Sequence, residues 1–372
     1  MKIFFLANAA SIHTVRWVNA LAERNHEIHL IFNSDDTARE NKISDLVFQH
    51  RLKYSGTKGY LLNVVQVRHL FREIDPDIVN AHYASGYGSL ARLARLNPLV
   101  LSVWGSDVYD FPYQGRMKMR ILKKNLRYAT RIASTSHCMA DQVKRLLGTS
   151  KVDVGVTPFG VDTVTFSPRE KRRSEGKIVI GNIKTLAPEY GIVEFLRAVK
   201  VLRHALEKKG LEDISSSIVV SLYGDGPQKD EIVGLVNDLQ LSATVKLKGR
   251  IPNSQVPEAL SEMDIFCVSS VRESFGVAAV EAMAMGLPVV ATDAEGLKEV
   301  VIDGKTGIIV PRHDQQALAN ALQQLVLDPR LRDAMGKAGR RRVIESYDWN
   351  KNVGVMESIY NNAIHATTQS GY

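Results

Sequence analysis

Short apolar runs recur along this chain, spaced to leave room for one helix between most successive pairs. No other feature narrows its fold as far. KIFFLAN, EIHLIFN, DIVNAHY, LVLSVW and RIASTS follow one another in the first half. KIVIGNI, SIVVSLYG, ATVKLKG, DIFCVSS, PVVAT and GIIVP repeat the rhythm in the second. Near-continuous apolar runs suit strands covered on both faces, and helical connections between them suit parallel pairing. The pattern predicts an α/β chain with two doubly wound sheets.

At 372 residues the chain has the length of two such domains. The segment FSPREKRRSEGK, 166–177, is charged and lacks apolar periodicity, and reads as the linker. Residues 1–165 then form one Rossmann-like domain and 178–349 another. Helices are expected over Thr14–Arg24 and Glu194–Leu206. The closing WNKNVGVMESIYNNAI gives a last helix, within 350–372, that packs back on the first domain. Open α/β sheets bind ligands at the carboxyl ends of their strands. Two such edges facing across a cleft suit a reaction between two ligands.

Only Cys138 and Cys267 are present, which fits a reducing cytoplasm rather than a disulfide framework. The opening MKIFFLANAA is short for a secretory signal and runs on into a helical pattern, so it reads as a buried first strand. No apolar stretch approaches the length that spans a bilayer. The net charge of +8 is one-sided. Residues 1–165 hold 22 Lys and Arg against 14 Asp and Glu, whereas the remainder is balanced at 26 against 26. The first half is therefore expected to face something anionic.

RESFGVAAVEAMAMGLPVVAT, from Arg272 to Thr292, concentrates the chemistry. A strand ending near Ser270 leads to a loop, and a helix starts at Phe275–Val277 and runs to Met285, where Gly286 caps it. The first amides of a helix lack intrahelical acceptors and attract anions, and Gly276 lets a backbone approach one closely. Glu273 precedes that anion site, and Glu281 follows Gly276 by roughly 7 Å of helix. Carboxylates repel phosphate but accept hydrogen bonds from hydroxyls. A nucleotide sugar offers hydroxyls on both sides of a diphosphate, with the sugar at Glu273 and the ribose at Glu281. The bland alternative is two acids favoured near a helix start.

The segment SSVRESFGVAAVEAMAMGLPVVAT…G…VVIDGKTGIIVP resembles the donor-site signature of family 4 glycosyltransferases, retaining enzymes of the GT-B fold. The resemblance extends through HTVRWVNALAERNHEIHLI, GSDV, TPFGVDTVTFSP, YGDGP and the YDWN helix. It implies that Glu273 contacts donor-sugar hydroxyls, that Ser274, Phe275, Gly276 and Val277 bind diphosphate through backbone amides, and that Glu281 binds ribose. Arg250, in KGRIP, would lie beside the base. The first domain would bind the acceptor.

Three departures from the family pattern stand out. The second domain of the family usually opens with an Arg and a Lys five apart; GNIKTLAPEYGI has Thr185 and Tyr190 there, and Lys184 is left to stabilise the leaving diphosphate. A family histidine before GSD is replaced by Trp104, with His82 of NAHYASGYG the nearest substitute facing the cleft. His82 carries a structural and a catalytic reading, and Asp107 is either a helix cap or a partner of the acceptor. The paired glycines of the first loop are replaced by NAASIHT, which puts Ser11 and His13 on the acceptor side.

The Asp75-Pro76-Asp77 triplet resembles a metal motif but precedes a strand, at the end away from the cleft, and is rejected. No cluster has metal-ligand spacing, so no metal or other cofactor is expected. Between Asp110 and Asp141 no acid interrupts Arg116, Lys118, Arg120, Lys123, Lys124, Arg127 and Arg131. That face reads either as a solvated helix or as a contact, through 116–131, with an anionic membrane.

The resemblance implies a metal-independent retaining hexosyltransferase of bacterial surface-polysaccharide or lipopolysaccharide biosynthesis. It would take a nucleotide sugar, UDP-linked before GDP-linked, and act on a lipid-linked or polysaccharide acceptor. Its place would be the cytoplasm, peripheral on the inner face of the cytoplasmic membrane. The competing readings are a small soluble acceptor and a non-catalytic nucleotide-sugar-binding protein. Nucleic-acid modules are absent, and no G-x-G-x-x-G follows the first strand of either half, which sets aside nucleic-acid binding and a dehydrogenase.

Overall fold

The computed structural model describes residues 1–36, 42–169 and 176–369. The chain divides into two compact units, Met1–Phe159 with Asn350–Tyr372, and Gly160–Trp349.

The first unit opens with β1 (Lys2–Leu6), α1 (Ile12–Glu23), β2 (Glu27–Phe32) and β3 (Val47–Arg51). Two helices, α2 (Gly56–Leu62) and α3 (Val64–Ile74), lead to β4 (Ile78–His82) and α4 (Gly86–Ala94). There follow β5 (Leu99–Val103), α5 (Ser106–Tyr109), α6 (Arg116–Tyr128), β6 (Arg131–Ser134), α7 (His137–Leu147) and β7 (Val154–Val156). The seven strands pair in parallel in the order β3-β2-β1-β4-β5-β6-β7. Strands β1 and β4 are buried nearly throughout, as both faces of a doubly wound sheet require. Phe4, Leu6, Val79 and Leu101 pack with Leu90, Leu122 and Leu126 from the helices on one face.

The second unit contains β8 (Ile178–Ile183), α8 (Ile192–Glu207), α9 (Glu212–Ser217), β9 (Ile218–Tyr223), α10 (Lys229–Asp238) and β10 (Val245–Gly249). It continues with α11 (Val256–Ser261), β11 (Ile265–Val268), α12 (Val277–Ala284), β12 (Val289–Thr292), α13 (Glu295–Val300) and β13 (Gly307–Val310). Two long helices close it, α14 (Gln315–Leu327) and α15 (Pro329–Ser346). Asp314 caps α14 through the Ala317 amide, and Asp328 caps α15 through those of Arg330 and Leu331, just before Pro329. The six strands are parallel in the order β10-β9-β8-β11-β12-β13.

In each sheet the chain fills one side and then jumps to the other. The reversal lies between β1 and β4 in the first sheet and between β8 and β11 in the second. Ligand sites of open α/β sheets sit at such switch points.

The last helix, α16 (Trp349–Gln369), counts with the first unit from Asn350 onward. Tyr360 is fully buried and donates to Asn80 Oδ1 at 3.1 Å, while Glu357 meets Arg24 at 2.7 Å and His26 at 2.8 Å.

Two strands lie outside the sequence reading. β3, VFQHR, is a polar edge strand, and β7 has three residues with a central glycine. β11 also stops at Val268, short of the expected Ser270. The units part at Phe159/Gly160 rather than after residue 165. Gly160–Phe166 is tied to the second unit: Val161 exchanges backbone bonds with Tyr347 and Trp349, and Arg340 donates to the carbonyls of Thr163 and Phe166. Within the expected linker, residues 170–175 lie outside the described residues. Among the described residues no helix is long and apolar enough to cross a membrane.

Candidate active site

The second unit brings its charged groups together at the β8/β11 switch point. Lys184 follows β8 directly and Glu273 lies in the loop after β11; these strands are paired neighbours. The Lys184 ammonium stands 2.7 Å from a Glu273 carboxylate oxygen, with both side chains largely buried at 17% and 12% exposure. It also lies 4.7 Å from the centre of the Tyr190 ring. Burial draws the Lys184 pKa down, but Glu273, then Tyr190 and Glu281, outweigh it and hold it above the ordinary lysine value. The ammonium is therefore charged at neutral pH.

The loop that carries Glu273 is fixed from three sides. The amides of Val271 and Arg272 donate to the Glu189 carbonyl, and the Ser269 hydroxyl donates to that of Tyr190. Arg312 donates to the Val271 carbonyl at 3.2 Å while pairing with Asp293 at 2.9 Å. On the third side the Gly296 amide donates to the Glu273 carbonyl at 3.0 Å. A Cβ on Gly296 would overlap the Glu273–Phe275 backbone, so only glycine lets α13 come this close.

Gly276 ends the loop at φ +101° and caps α12. That left-handed conformation turns the chain directly from loop to helix, which leaves the first α12 amides without intrahelical acceptors. Phe275 beside it is buried, edge-on to Tyr347 at 5.6 Å. Glu281 lies one turn into α12, half-exposed and close enough to act on Lys184 electrostatically. Val277 opens the helix, and Ser274 is half-exposed before it. Arg250 is exposed just past β10, at the carboxyl edge of the same sheet. The site thus offers the Lys184 ammonium, a helix start and two acids within one short segment and its neighbour strand.

The first unit gathers a different chemistry at its own switch point. His13, in the first turn of α1, stacks on Phe159 at 4.0 Å and meets the Trp104 edge at 5.8 Å. Ser11 is the half-exposed N-cap of α1. His82 corrects the expectation of a cleft-facing imidazole. It is fully buried, with Trp104 at 4.1 Å and Phe5 at 4.7 Å. Asn80 spends its amide hydrogens on the Val100 carbonyl and the Ser102 hydroxyl, so its oxygen accepts from Tyr360 and from His82 Nε2. The imidazole is held as the Nε2–H form, and Nδ1 is buried without a hydrogen-bond partner. Burial, with His13 adding to it, pushes the pKa of His82 well below 6.5.

Asp107, expected as a helix cap or a partner of the acceptor, serves here as a buried acceptor of backbone amides. It is buried within α5 and accepts the amides of Ala84 at 2.8 Å, Gly105 at 2.9 Å and Trp104 at 3.1 Å. It joins the loops after β4 and β5 and has no open face. Burial raises its pKa against the pull of those amides. The Asp77 carboxylate accepts the Lys2 amide at 2.7 Å, at the amino end of β1 and opposite the switch point.

Family models match both parts of the chain: "Glycosyl transferase 4-like" over residues 2–136 and "Glycosyl transferases group 1" over 164–342. The MMP alpha-(1->4)-mannosyltransferase of Mycolicibacterium hassiacum is 30% identical, across 79% of this chain and 72% of its own. This chain is a family 4 glycosyltransferase. The N-acetyl-alpha-D-glucosaminyl L-malate synthase of Bacillus anthracis is 25% identical over 91% of this chain and 90% of its own. The fold is GT-B: the structure of Anabaena Alr3699/HepE in complex with UDP superposes with a TM-score of 0.76, at 18% identity, over 97% of this chain and 99% of that one.

In this glycosyltransferase three relationships lie outside the sequence reading: the Tyr190 ring beneath Lys184, Gly296 packed behind the Glu273 loop, and the Phe159–His13–Trp104 cluster. The residues are visible in the sequence, Gly296 as a glycine inside the otherwise helical AEGLKEV, but their contacts are not.

Proposed function

We propose that this glycosyltransferase moves a hexose, with retention, from a nucleotide sugar to a lipid-linked or polysaccharide acceptor of cell-surface glycan synthesis. The observation that carries the donor half is the Lys184–Glu273 pair beside the Gly276 helix start. A diphosphate seated at the α12 amides would draw the Lys184 ammonium to itself and release Glu273 to accept a sugar hydroxyl. Glu281, one turn further, is at the right remove for the ribose. Ser274, Phe275 and Val277 would contribute backbone amides, and Arg250 would flank the base.

Lys184 and the helix amides supply positive charge where the leaving diphosphate gathers negative charge, which supports a reaction without metal. A phosphate oxygen on the same face would take the proton of the incoming hydroxyl, so no side-chain base is required. Ser11 and His13 of the first unit are the acceptor-side candidates; His82 and Asp107 support the loops behind them. The basic face of α6, with Arg116, Arg120, Lys124 and Arg127 exposed, supports an anionic acceptor or bilayer. UDP precedes GDP in the proposal because UDP is the nucleotide in the Anabaena protein of like fold. A cytoplasmic enzyme, peripheral on the membrane, would combine these properties.

A thermal-shift screen against UDP- and GDP-sugars tests the donor, since a ligand that binds the folded state raises its melting temperature. Product NMR then reads the anomeric configuration, and turnover in EDTA reads the metal. Inversion, or loss of turnover in EDTA, would overturn those parts of the reading. A small soluble acceptor is the second reading, favoured by the malate-glycosylating relative; turnover on such an acceptor without vesicles would establish it. Binding without turnover on any acceptor would leave a nucleotide-sugar sensor.

A further inference from the structure

The stretch VVIDGKTGIIVP takes no part in the donor site. Its turn precedes β13, at the edge of the sheet opposite to the strand ends that carry Lys184 and Glu273. A cavity of about 240 Å³ opens there, lined by Ile302, Lys305 and Thr306 from the turn and by Arg341, Arg342 and Glu345 from α15. Three cations and one acid thus surround one small space.

Both walls are firmly built. The Ile302 carbonyl accepts the amides of Lys305 at 3.0 Å and Thr306 at 2.9 Å, and the Ile302 amide donates to the Thr306 hydroxyl at 2.8 Å. The Asp303 carboxylate accepts the Ile309 amide at 2.8 Å and makes no ion pair with Lys305. On α15, Arg342 donates through Nε to the Val300 carbonyl at 2.8 Å and through Nη2 to that of Glu299 at 2.7 Å. These bonds fix its guanidinium and leave Nη1 without a protein acceptor among the described residues. Its neighbour Arg340 donates to the carbonyls of Thr163, Phe166 and Ala284. Within GRRRV, Arg341 alone has no such engagement among the described residues.

The charges around the cavity stay apart. Asp333 and Lys337, i and i+4 on α15, close at 2.7 Å. Arg341 and Glu345 have the same spacing with the cation first, which is the weaker order, and they do not close. Lys305 pairs with neither, so all three remain open to a third group. A phosphate dianion suits the cations, because guanidinium and ammonium groups make their strongest hydrogen bonds to such oxygens. Glu345 repels phosphate and accepts hydroxyls. The volume is that of roughly eight water molecules at about 30 Å³ each, more than one oxyanion needs. A ligand that fills it carries both a phosphate and a hydroxylated body.

We infer that this cavity is a second ligand site, which takes the phosphate monoester of a small polyol. Lys305, Arg341 and Arg342 hold the phosphate, and Glu345 accepts a hydroxyl. The inference goes beyond the glycosyl-transfer reading and does not depend on it.

Thermal shift and calorimetry on the full chain, with ribose 5-phosphate, inorganic phosphate and ribose, test it. Ribose 5-phosphate raises the melting temperature and binds more tightly than inorganic phosphate, and ribose does neither. Lys305→Ala and Arg341→Ala, at exposed side chains, each weaken ribose 5-phosphate by about tenfold, the scale of one charge-assisted hydrogen bond. Lys305→Glu/Arg341→Glu abolishes its binding with unchanged circular dichroism. Glu345→Leu brings ribose 5-phosphate and inorganic phosphate to the same affinity. Lys184→Gln, at the donor edge, binds ribose 5-phosphate as the parent does.

No response of the parent to millimolar ribose 5-phosphate overturns the inference, as does binding that survives Lys305→Glu/Arg341→Glu. Binding that Lys184→Gln abolishes belongs to the donor site and overturns it equally. The nucleotide-sugar thermal shift stays as in the parent for the Lys305 and Arg341 variants. Its absence from the parent would count against the proposed donor site alone.

Discussion

Lys184 and Glu273, far apart in sequence, meet 2.7 Å from each other where neighbouring strands β8 and β11 end. Each neutralises the other in a largely buried place. Under the proposed donor reading, a diphosphate would compete for the lysine and a sugar hydroxyl for the glutamate, so that a nucleotide sugar would open the pair and nucleotide alone would open it in part.

Separate loss of the two partners follows from this. Lys184→Gln removes the only side-chain cation of the pair and lowers kcat by about 10²–10³, the scale of one lost oxyanion contact. Glu273→Gln keeps the shape but leaves the ammonium without a counter-charge. It binds nucleoside diphosphate at least as tightly as the parent and transfers sugar far more slowly. Calorimetry with nucleoside diphosphate alongside steady-state kinetics checks both; weaker nucleotide binding by Glu273→Gln would refute the competition.

Tyr190 holds the same ammonium over its ring. A cation over an aromatic face contributes about 0.5–2 kcal/mol as its surroundings dry. Tyr190→Phe preserves the face and leaves donor KM close to the parent's. Tyr190→Leu removes it, raising donor KM several-fold with kcat less affected, because the lysine is mispositioned rather than missing. Equal kinetics for Tyr190→Phe and Tyr190→Leu would mean that the ring holds nothing.

Two glycines behind the loop offer a stability-and-binding test. Gly276→Ala places a side chain at φ +101° and 2.8 Å from Leu297, a left-handed position costing about 1–2 kcal/mol before the contact is counted. Gly296→Ala drives a methyl into the backbone of Ser274 and Phe275. Both lower the melting temperature, and both weaken nucleotide binding beyond the global loss, since they displace the amides at the α12 start. Differential scanning fluorimetry with and without nucleotide separates the two effects.

The helix start after Gly276 is legible because its features are contiguous: Glu273, Gly276 and Glu281 sit within nine residues, and helix geometry relates them. The sheets were legible from KIFFLAN and its successors, since strands buried on both faces leave little room for polar residues. Lys184 needed a family resemblance, because nothing local says that β8 and β11 are neighbours. Tyr190 looked like a lost cation in GNIKTLAPEYGI, and only the fold turns its ring toward the lysine. His82 went wrong for a tertiary reason. Strand position aimed it at the ligand edge, but Trp104 closes over it and Tyr360, from the far end of the chain, ties down Asn80 beneath.

That burial makes a prediction about pH. His82 has a folded-state pKa well below 6.5, caused by burial and then by His13, whereas in the unfolded chain it titrates near the ordinary value. Below that value the unfolded state binds a proton that the folded state refuses, so stability is complete at neutral pH and falls as pH drops through about 6.5. His50 is lowered in the same direction, by burial and then by His29, and adds to the slope. Chemical denaturation between about pH 7 and about pH 5 should show this loss. His82→Asn, which cannot titrate, should reduce the slope, while Tyr360→Phe, which removes one of the two donors to Asn80, should lower stability at all pH values and keep the slope. An unchanged slope in His82→Asn would place the titrating group elsewhere.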